Sequence, residues 1–477
     1  MEEFFESLRD SADRLPGSIA LASRTGYMTY EDFAGNISSA AEAVRRNSIG
    51  PGQLVVLAGA NADAQLIIAL ALIRIGCRVG YSRDMALYDT SGVIVDAVIA
   101  DAPIPGLKDR VITIGRDWFK GANSIGRDLP GQSADYSMIF SSSGSTGSPK
   151  LVENPPLLIK ASIDITRPQL AERPRYLSTF GNRTDATFYD SIATLSKGGT
   201  VLRAAERHGT AVLDTIQLFQ PNYVLVPPST LVDMLHRLDE KPMAIDRIPL
   251  LRTAGAYCAP HIQNAALDTI ADQFMSSYGS AEMGWIAWGI AKDIQKVERC
   301  VGRVVGGMEV AAFDADERRL PPSTEGDIRA KRPDGAAGAY LGKDSPQQRI
   351  FRDGWFVTGD IGLVDDSGNL VIRGRGSNVI NVGGHKVSPE LMEEQILAFS
   401  QVRDVAVTGI DKPEGFQEVC AAIVTGAKLT VDDVNAHLQR SHARWPVQTI
   451  RIVPTIPKTE SGKIDRTALR RLCAGGA

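Results

Sequence analysis

The amino-acid sequence predicts a large N-terminal α/β domain of layered sheets and helices, followed by a small, mobile α+β C-terminal domain. Short apolar runs alternate with helical stretches over roughly the first 370 of the 477 residues, and short strands with hairpin turns follow. A chain of this length can also form two or three domains of about 150 residues each. We expect the domains to span residues 1–375 and 377–477, with their boundary in the glycine-flanked segment RGRGS.

In the predicted N-terminal domain each strand ends in a turn rich in Gly, Ser or Pro. The strand–helix pairs are QLVVLAGAN with ADAQLIIALALIRIG, YLSTF with DATFYDSIATLSKGG, NYVLVPP with STLVDMLHRL, and LLRTAG with AYCAPHIQNAALDTIADQF. Because these strands are continuously apolar, they fit largely parallel sheets that helices cover. Such sheets bind ligands at the carboxyl ends of their strands, so the loops there are the first candidates for a site.

The C-terminal pattern is different. GLVDDSGNLVIRGRG predicts a β-hairpin around Asp365–Gly368. VSPELMEEQILAF predicts a helix with Ser388 as N-cap and Pro389 in the first helical position. The strands DVAVTGI and CAAIVTG, the helix VDDVNAHLQRSH, the strand TIRIVP and a last helix after Asp465 complete the small domain.

Composition excludes several classes of protein. A net charge of −4 and a pI near 6.0 give no basic field for nucleic acid. The most apolar run, Leu66–Ile73, is too short to span a bilayer, and the acidic N-terminus does not resemble a signal peptide. Five cysteines without a C-x-x-C pair indicate neither zinc nor a disulfide framework. We therefore expect a cytoplasmic protein.

The loop SSSGSTGSPK, Ser141 to Lys150, follows the apolar run YSMIF. Its glycines, hydroxyls and backbone N–H groups are suited to surround a phosphate. The loop is not the P-loop motif, because Ser148 and Pro149 separate Lys150 from the second glycine. The candidates for phosphate contacts here are Ser142, Ser143, Gly144, Ser145, Thr146, Gly147 and Lys150.

Four further segments appear in order after this loop: SSYGSAEMG, GWFVTGDIG, GRGSNVINVGGHKVSPEL and PKTESGKIDR. Together, the five resemble the motifs of the adenylate-forming superfamily, which includes acyl-CoA synthetases, adenylation domains and luciferases. The resemblance covers nearly the whole chain. It implies ATP and Mg²⁺ as cofactors. It also implies attack of a carboxylate on the α-phosphate, release of pyrophosphate, and transfer of the acyl group to the thiol of CoA or of a phosphopantetheinyl carrier.

The resemblance assigns three catalytic roles. Lys463 corresponds to the lysine that reaches from the mobile C-terminal domain to the carboxylate and the α-phosphate. By composition alone it is one of 52 Lys and Arg residues, most of which are solvated, and only the flanking motif distinguishes it. Glu282 corresponds to the glutamate that holds Mg²⁺, a cation that prefers oxygen ligands. Thr146 belongs to the phosphate loop.

For the nucleotide, Asp360 corresponds to the acidic residue that binds both ribose hydroxyls, and Arg375 to an arginine that contacts the nucleotide. Tyr278 would stack on adenine, with Gly279 and Ser280 beside it. The alternatives are a turn-forming aspartate, a surface arginine and a core tyrosine. The family's usual threonine is replaced by Ala281, and we expect Thr146, Ser280 or water to replace the lost hydroxyl.

The predicted acid pocket contains Asp185, Tyr189, Gly255 and Trp285. Asp185 aligns with the aspartate that pairs with a substrate amine in amino-acid-activating members, although it would also serve as a helix N-cap. Trp285 would shorten the pocket and favour a small or flat acid, or would simply pack in the core. Phe180–Asn182 replaces the F-H-x-x-G histidine motif of many relatives.

For the thiol half-reaction the resemblance assigns Gly384, in GGHKVSPEL, and places Ser377 at the hinge between two arrangements of the small domain. The leading hypothesis is an acyl-CoA ligase for a small or flat acid. The alternatives are an amino-acid-activating enzyme that loads a separate carrier protein, a non-catalytic nucleotide-binding homologue, and a kinase or ATPase that forms ADP. The sequence leaves a homodimer open.

Overall fold

A computed structural model gives the fold of most of the chain. The residues that it describes are 1–59, 61–82, 85–104, 111–121, 135–142, 150–181, 183–206, 208–332, 335–342, 350–382, 385–412, 417–440, 445–459 and 463–475. Among the predicted site residues, Ser143–Gly147 and Gly384 lie outside this set, as does the side chain of Ser142.

The N-terminal domain alternates helices and strands. Its helices are α1 (Glu2–Arg14), α2 (Tyr30–Arg46), α3 (Ala62–Ile75), α4 (Ala86–Ser91), α5 (Pro156–Thr166), α6 (Asp185–Ser196), α7 (Gly209–Phe219), α8 (Pro228–Glu240), α9 (Pro260–Thr269) and α10 (Ala291–Ile294). Its strands are β1 (Ile19–Ser23), β2 (Gly26–Thr29), β3 (Leu54–Leu57), β4 (Arg78–Tyr81), β5 (Ala97–Ala100), β6 (Val111–Thr113), β7 (Ser137–Ser142), β8 (Lys150–Asn154), β9 (Arg175–Ser178), β10 (Thr200–Arg203), β11 (Tyr223–Val226), β12 (Ile248–Ala254), β13 (Ala271–Ser280), β14 (Gly284–Ile290), β15 (Cys300–Val304), β16 (Glu309–Phe313), β17 (Gly326–Lys331), β18 (Ala339–Tyr340), β19 (Phe351–Arg352), β20 (Trp355–Val364) and β21 (Asn369–Arg375).

The larger sheet is mixed. Its strand order is β16-β17-β20-β21-β15-β14-β13-β12-β11-β9-β10-β1-β2, with β19 beside β20. The run from β1 through β10, β9, β11 and β12 to β13 is parallel, and every pair from β13 to β16 is antiparallel. The prediction of largely parallel sheets is thus wrong for this half. Short turns join several of its strands, and a short turn can reverse a chain but cannot cross over a sheet.

The second sheet has the order β18-β8-β7-β4-β3-β5-β6 and is parallel from β7 to β6. The largest hydrophobic core joins the two sheets through α2 and α3. Buried residues of both helices, such as Phe33 and Leu70, share this cluster with Val55 and Val79 of the second sheet and Val201 of the first. The predicted layers of sheets and helices are therefore confirmed.

Local sequence signals explain where several elements begin and end. The Asn61 side chain accepts hydrogen bonds from two N–H groups of α3, and Gly76 ends that helix with a φ of 94°. The helix predicted across AYCAPHIQNAALDTIADQF is shorter than expected and occupies only Pro260–Thr269. Ala271 already lies opposite Ile248 in the β12–β13 ladder, so strand pairing takes the end of this segment.

The C-terminal domain has separate cores. Its elements are β22 (Ile380–Val382), β23 (His385–Val387), α11 (Pro389–Leu397), β24 (Asp404–Asp411), β25 (Gln417–Val424), α12 (Val431–Arg440), β26 (Thr449–Ile452) and α13 (Arg466–Cys473). Two hydrophobic clusters contain only residues beyond 379. Ser388 caps α11 as predicted, and Asp465 caps α13, the last helix that was predicted to follow it. The boundary between residues 375 and 377 stays a prediction.

Candidate active site

The candidate site lies where parallel strands of the larger sheet end. Phe180 follows β9, Gly255 follows β12, and Tyr278 lies near the end of β13. Gly255 has a φ of 86°, a left-handed conformation that favours glycine. A Cβ atom at Gly255 would lie 3.4 Å from Cε1 of Phe180 and 3.6 Å from Cε of Lys463. The C-terminal lysine therefore reaches these strand ends.

Lys463 is held on a hairpin just before α13. The Thr459 N–H donates to the Lys463 carbonyl oxygen at 2.8 Å, and the Asp465 N–H donates to the Pro457 carbonyl oxygen at 2.9 Å. Burial and the Arg375 guanidinium lower the pKa of the Lys463 ammonium. Three carboxylates oppose this shift: those of Asp360, Asp185 and Glu282. The structure thus brings five of the predicted site residues into one cluster of charges.

The Asp360 carboxylate contacts a tyrosine hydroxyl and a guanidinium. Tyr278 Oη donates to its Oδ2 at 2.5 Å, and Arg375 Nε lies 3.5 Å from its Oδ1. Asp360 and Arg375 are also directly opposite in the β20–β21 ladder. Burial raises the pKa of the Asp360 carboxyl above its ordinary value. The positive charges of Arg375 and Lys463 and the hydrogen bond from Tyr278 offset part of that rise. The Tyr278 side chain is half-buried. Its stacking on adenine stays a prediction.

Glu282 is 4% exposed and accepts a hydrogen bond from the Tyr340 hydroxyl. The Lys150 ammonium lies 5.8 Å from the centroid of the Tyr340 ring, so Tyr340 links Glu282 to the end of the phosphate loop. No group of three or more His, Cys, Asp or Glu among the described residues could hold a metal ion. Mg²⁺ commonly needs only one or two carboxylates, with substrate phosphates and water completing its shell. Glu282 fits that pattern.

The turn after β13 replaces the family's usual threonine with Ala281. Ser280 Oγ accepts a hydrogen bond from the Met283 N–H at 3.3 Å and keeps its own hydroxyl proton for another acceptor. Gly279 must be glycine, because a Cβ there would lie 2.3 Å from the Gly284 carbonyl oxygen. Replacement of the missing threonine by Ser280, Thr146 or water stays a prediction.

Asp185 is the first residue of α6, and its N-cap is Thr184. The alternative reading of Asp185 as the helix N-cap is therefore wrong by one residue. Burial raises the pKa of the Asp185 carboxyl and Glu282 raises it further, whereas Lys463 and Arg252 lower it. Asp185 is half-buried and shares the charge environment of the site.

The two predicted aromatic pocket residues are buried. Tyr189 Oη accepts a hydrogen bond from Asn154 Nδ2 at 2.8 Å, and its ring meets Phe140 edge-to-face at 5.8 Å. Trp285 belongs to a small core cluster, and the Arg252 guanidinium lies 3.8 Å from its ring centroid. Both side chains thus form walls of the core next to the strand ends.

Sequence reasoning missed a buried polar network next to the site. Arg252 Nη1 donates to Asp190 Oδ2 at 3.0 Å and to Tyr223 Oη at 2.8 Å, and Arg252 Nε donates to Ser277 Oγ at 2.8 Å. Asp190 Oδ1 also accepts from the Thr166 hydroxyl at 3.0 Å. The sequence offered one signal, a single arginine in the apolar strand PLLRTAG. The network ties α5 and α6 to β11, β12 and β13.

The remaining predicted residues are those assigned to the hinge, the thiol half-reaction and the phosphate loop. Ser377 is exposed within a single 3₁₀ turn, Gly376–Asn378, between the two domains. Gly384 and the loop residues Ser143–Gly147 are not among the described residues. Over the described ranges, no helix has both the length and the apolar character to cross a membrane.

Residues 97–341 match the family model of AMP-binding enzymes, and residues 391–463 match the model of their C-terminal domain. The chain belongs to the AMP-binding enzyme family. The predicted superfamily is therefore confirmed. The enzyme is an ATP-dependent, AMP-forming ligase that activates an acid and transfers it to a thiol.

Named relatives support the same conclusion. The chain is 30% identical to a salicylyl-CoA synthase / salicylate adenylyltransferase of Streptomyces sp. over 48% of this chain and 42% of that one. It is 24% identical to a salicyl-AMP ligase / salicyl-S-ArCP synthetase of Mycobacterium tuberculosis over 97% and 89%. Its fold is similar to the anthranilate CoA ligase AuaEII in complex with anthranoyl-AMP, with a TM-score of 0.85, 20% identity, and coverage of 98% and 97%.

The Asp190–Arg252 pair generates a stability prediction. Asp190→Ala leaves the guanidinium buried and unpaired, so we expect a loss of about 3–5 kcal/mol in unfolding free energy, measured by urea denaturation. The matched control is the double variant Asp190→Leu with Arg252→Met, which removes both charges and should recover most of that loss. Equal destabilisation by the single and double variants would contradict this account.

Proposed function

We propose that this enzyme joins a flat aromatic acid to CoA through an acyl-adenylate, with Lys463 as the decisive cation. The observation that carries the proposal is the placement of Lys463 beside Gly255, in the field of Asp360, Asp185, Glu282 and Arg375. Adenylation brings a carboxylate against a phosphate, so two anions must approach each other. A preorganised ammonium group in a partly buried site lowers that repulsion.

The nucleotide would be held on the β20–β21 side of the site. Asp360 has a carboxylate that can accept hydrogen bonds from the two ribose hydroxyls. Tyr278 orients that carboxylate through its 2.5 Å hydrogen bond, and Arg375 balances its charge. The half-buried Tyr278 ring would support adenine, with Gly279 and Ser280 beside it.

The phosphates would lie between Glu282 and the loop that ends at Lys150. Ser142–Gly147, including Thr146, would contribute backbone N–H groups and hydroxyls to this region. Glu282 would hold Mg²⁺, which when bound neutralises phosphate charge. Tyr340 supports this role, because its hydroxyl donates a hydrogen bond that orients the Glu282 carboxylate next to the proposed phosphate position.

The acid pocket would lie between Gly255, Asp185 and the aromatic walls. The Trp285 ring packs against the Arg252 guanidinium, which is fixed in turn by Asp190. A rigid planar wall suits a flat acid better than a flexible chain. The names of the relatives given above, which refer to salicylate and anthranilate, favour the same class.

We propose CoA as the acceptor because two of those relatives are named as a salicylyl-CoA synthase and an anthranilate CoA ligase. The carrier-protein alternative is supported by the salicyl-S-ArCP synthetase. Gly384 would serve the thiol half-reaction after the C-terminal domain moves about Ser377. All five cysteines are buried and unpaired, which supports a reducing compartment such as the cytoplasm.

The role of Lys463 can be tested directly. In Lys463→Ala, we expect acyl-adenylate formation to fall by at least about 10²-fold, because the ammonium that lowers the repulsion between the two anions is removed. The measurement is pyrophosphate exchange with a panel of aromatic acids, with AMP and ADP separated by chromatography.

Lys458 provides the matched control. It lies on the same hairpin but pairs with Asp404 at 2.6 Å. Lys458→Ala should leave exchange within about twofold of the unmodified enzyme. Undiminished exchange in Lys463→Ala would refute the assigned role, and ADP as the product would refute the proposed reaction.

The pocket wall gives a second prediction. Trp285→Ala should raise KM for a bicyclic or monocyclic aromatic acid about tenfold, since the planar contact is lost. It should also admit longer acyl chains. The control is Trp355→Ala, a tryptophan whose ring packs on Phe313 and does not belong to the Trp285 cluster, and which should change neither. An unaltered acid preference in Trp285→Ala would contradict the proposed pocket.

A further inference from the structure

A partly buried ion pair crosses from the N-terminal to the C-terminal domain. Arg299 Nη1 donates to Glu394 Oε2 at 2.5 Å, and the two side chains are 3% and 25% exposed. Arg299 directly precedes β15, whereas Glu394 lies on α11. The pair therefore exists only while the two domains have the present arrangement.

The N-terminal partner is rigidly held. Arg299 Nε donates to the Ile372 carbonyl oxygen at 2.9 Å, and the Ile372 N–H donates back to the Arg299 carbonyl oxygen at 3.2 Å. Its guanidinium lies 4.5 Å from the Tyr257 ring centroid. Arg299 also has a φ of 57°, which is uncommon outside glycine and often marks a functional position. The guanidinium is thus preorganised to receive a carboxylate.

The C-terminal partner is connected to the catalytic hairpin. Glu393, adjacent to Glu394 on α11, accepts from Arg466 Nη1 at 2.7 Å and Arg466 Nη2 at 3.2 Å. Arg466 begins α13, three residues after Lys463. An interaction that holds α11 at Glu394 therefore also restrains Lys463. The restraint acts through the ion pair of Glu393 with Arg466 and the short segment between Arg466 and Lys463.

The same pair also lies next to the site on the N-terminal side. Tyr257, under the guanidinium, is two residues beyond Gly255, beside which the Lys463 side chain lies. Arg299 and Glu394 thus connect the strand end that receives the lysine with the helix that positions it.

We propose that Arg299 and Glu394 are positioning residues for adenylation: their ion pair holds the C-terminal domain where Lys463 enters the site, and it opens before thiol transfer. This inference depends on the proposed role of Lys463. Charge-assisted hydrogen bonds that are mostly buried are among the strong ones. Loss of the pair should therefore disfavour the adenylation arrangement and spare the other.

A second pair between the domains supplies the control. Arg403 Nη2 lies 3.0 Å from Glu240 Oε1, and these side chains are 55% and 46% exposed. Exposed pairs contribute little. Glu394→Gln and Glu240→Gln thus remove the same charge from two interdomain contacts that differ chiefly in burial.

The experiment separates the half-reactions. Adenylation is measured by pyrophosphate exchange with salicylate or anthranilate, whichever the unmodified enzyme uses faster. Thioester formation is measured in a single turnover from the matching synthetic acyl-adenylate and CoA. We expect Glu394→Gln to slow adenylation about tenfold, the usual effect of losing a charged hydrogen bond, and to leave thioester formation within about twofold. Glu240→Gln should leave both within about twofold.

A second measurement needs no acid substrate. Dyes on Leu218→Cys and Arg470→Cys report the distance between the domains by single-molecule energy transfer with ATP and Mg²⁺ present, because the native cysteines are all buried. Glu394→Gln and the milder variant Arg299→Lys should both reduce the docked fraction. Equal loss in both half-reactions, or an unchanged docked fraction in both variants, would overturn the proposal. Loss of exchange in Lys463→Ala is a separate result, so the two failures are distinguishable.

Discussion

The position of one ammonium group organises this molecule. Lys463 belongs to the C-terminal domain, but its side chain lies in a partly buried site at the strand ends of the N-terminal domain. There it interacts with three carboxylates and one guanidinium. Burial lowers the pKa of the Lys463 ammonium, and the three carboxylates raise that pKa again in part. The site therefore becomes most favourable for the cation when further negative groups arrive, which is the situation that adenylation creates.

The fold around the site supplies rigidity where that chemistry needs it. The Arg252–Asp190 network connects the strands that end at Gly255 and Tyr278, and the Trp285 ring packs against the same guanidinium. Buried polar networks whose members are satisfied specify one arrangement of the elements that they connect. The C-terminal domain has hydrophobic clusters of its own, which contain only residues beyond 379.

The sequence predicted elements and motifs well because local signals determine them. Ser388 as N-cap and Pro389 in the first helical turn mark the start of α11, and the structure confirms both, together with the last helix after Asp465. The adenylate-forming motifs identified the family. Long-range partners were not predictable, because nothing local relates Arg252 to Asp190 or Arg299 to Glu394 across 62 and 95 positions of chain. The mixed larger sheet escaped prediction for a similar reason, since strand direction depends on pairing between distant segments.

The most direct test of the central claim is a crystal structure of the enzyme with a non-hydrolysable acyl-adenylate analogue. The measured quantity is the distance from Lys463 Nζ to the nearest oxygen of the acyl–phosphate linkage. Our account predicts hydrogen-bond contact, about 3 Å, with Asp360 accepting from the ribose. An analogue bound at these strand ends while Lys463 lies in solvent, with another cation at the linkage, would contradict it.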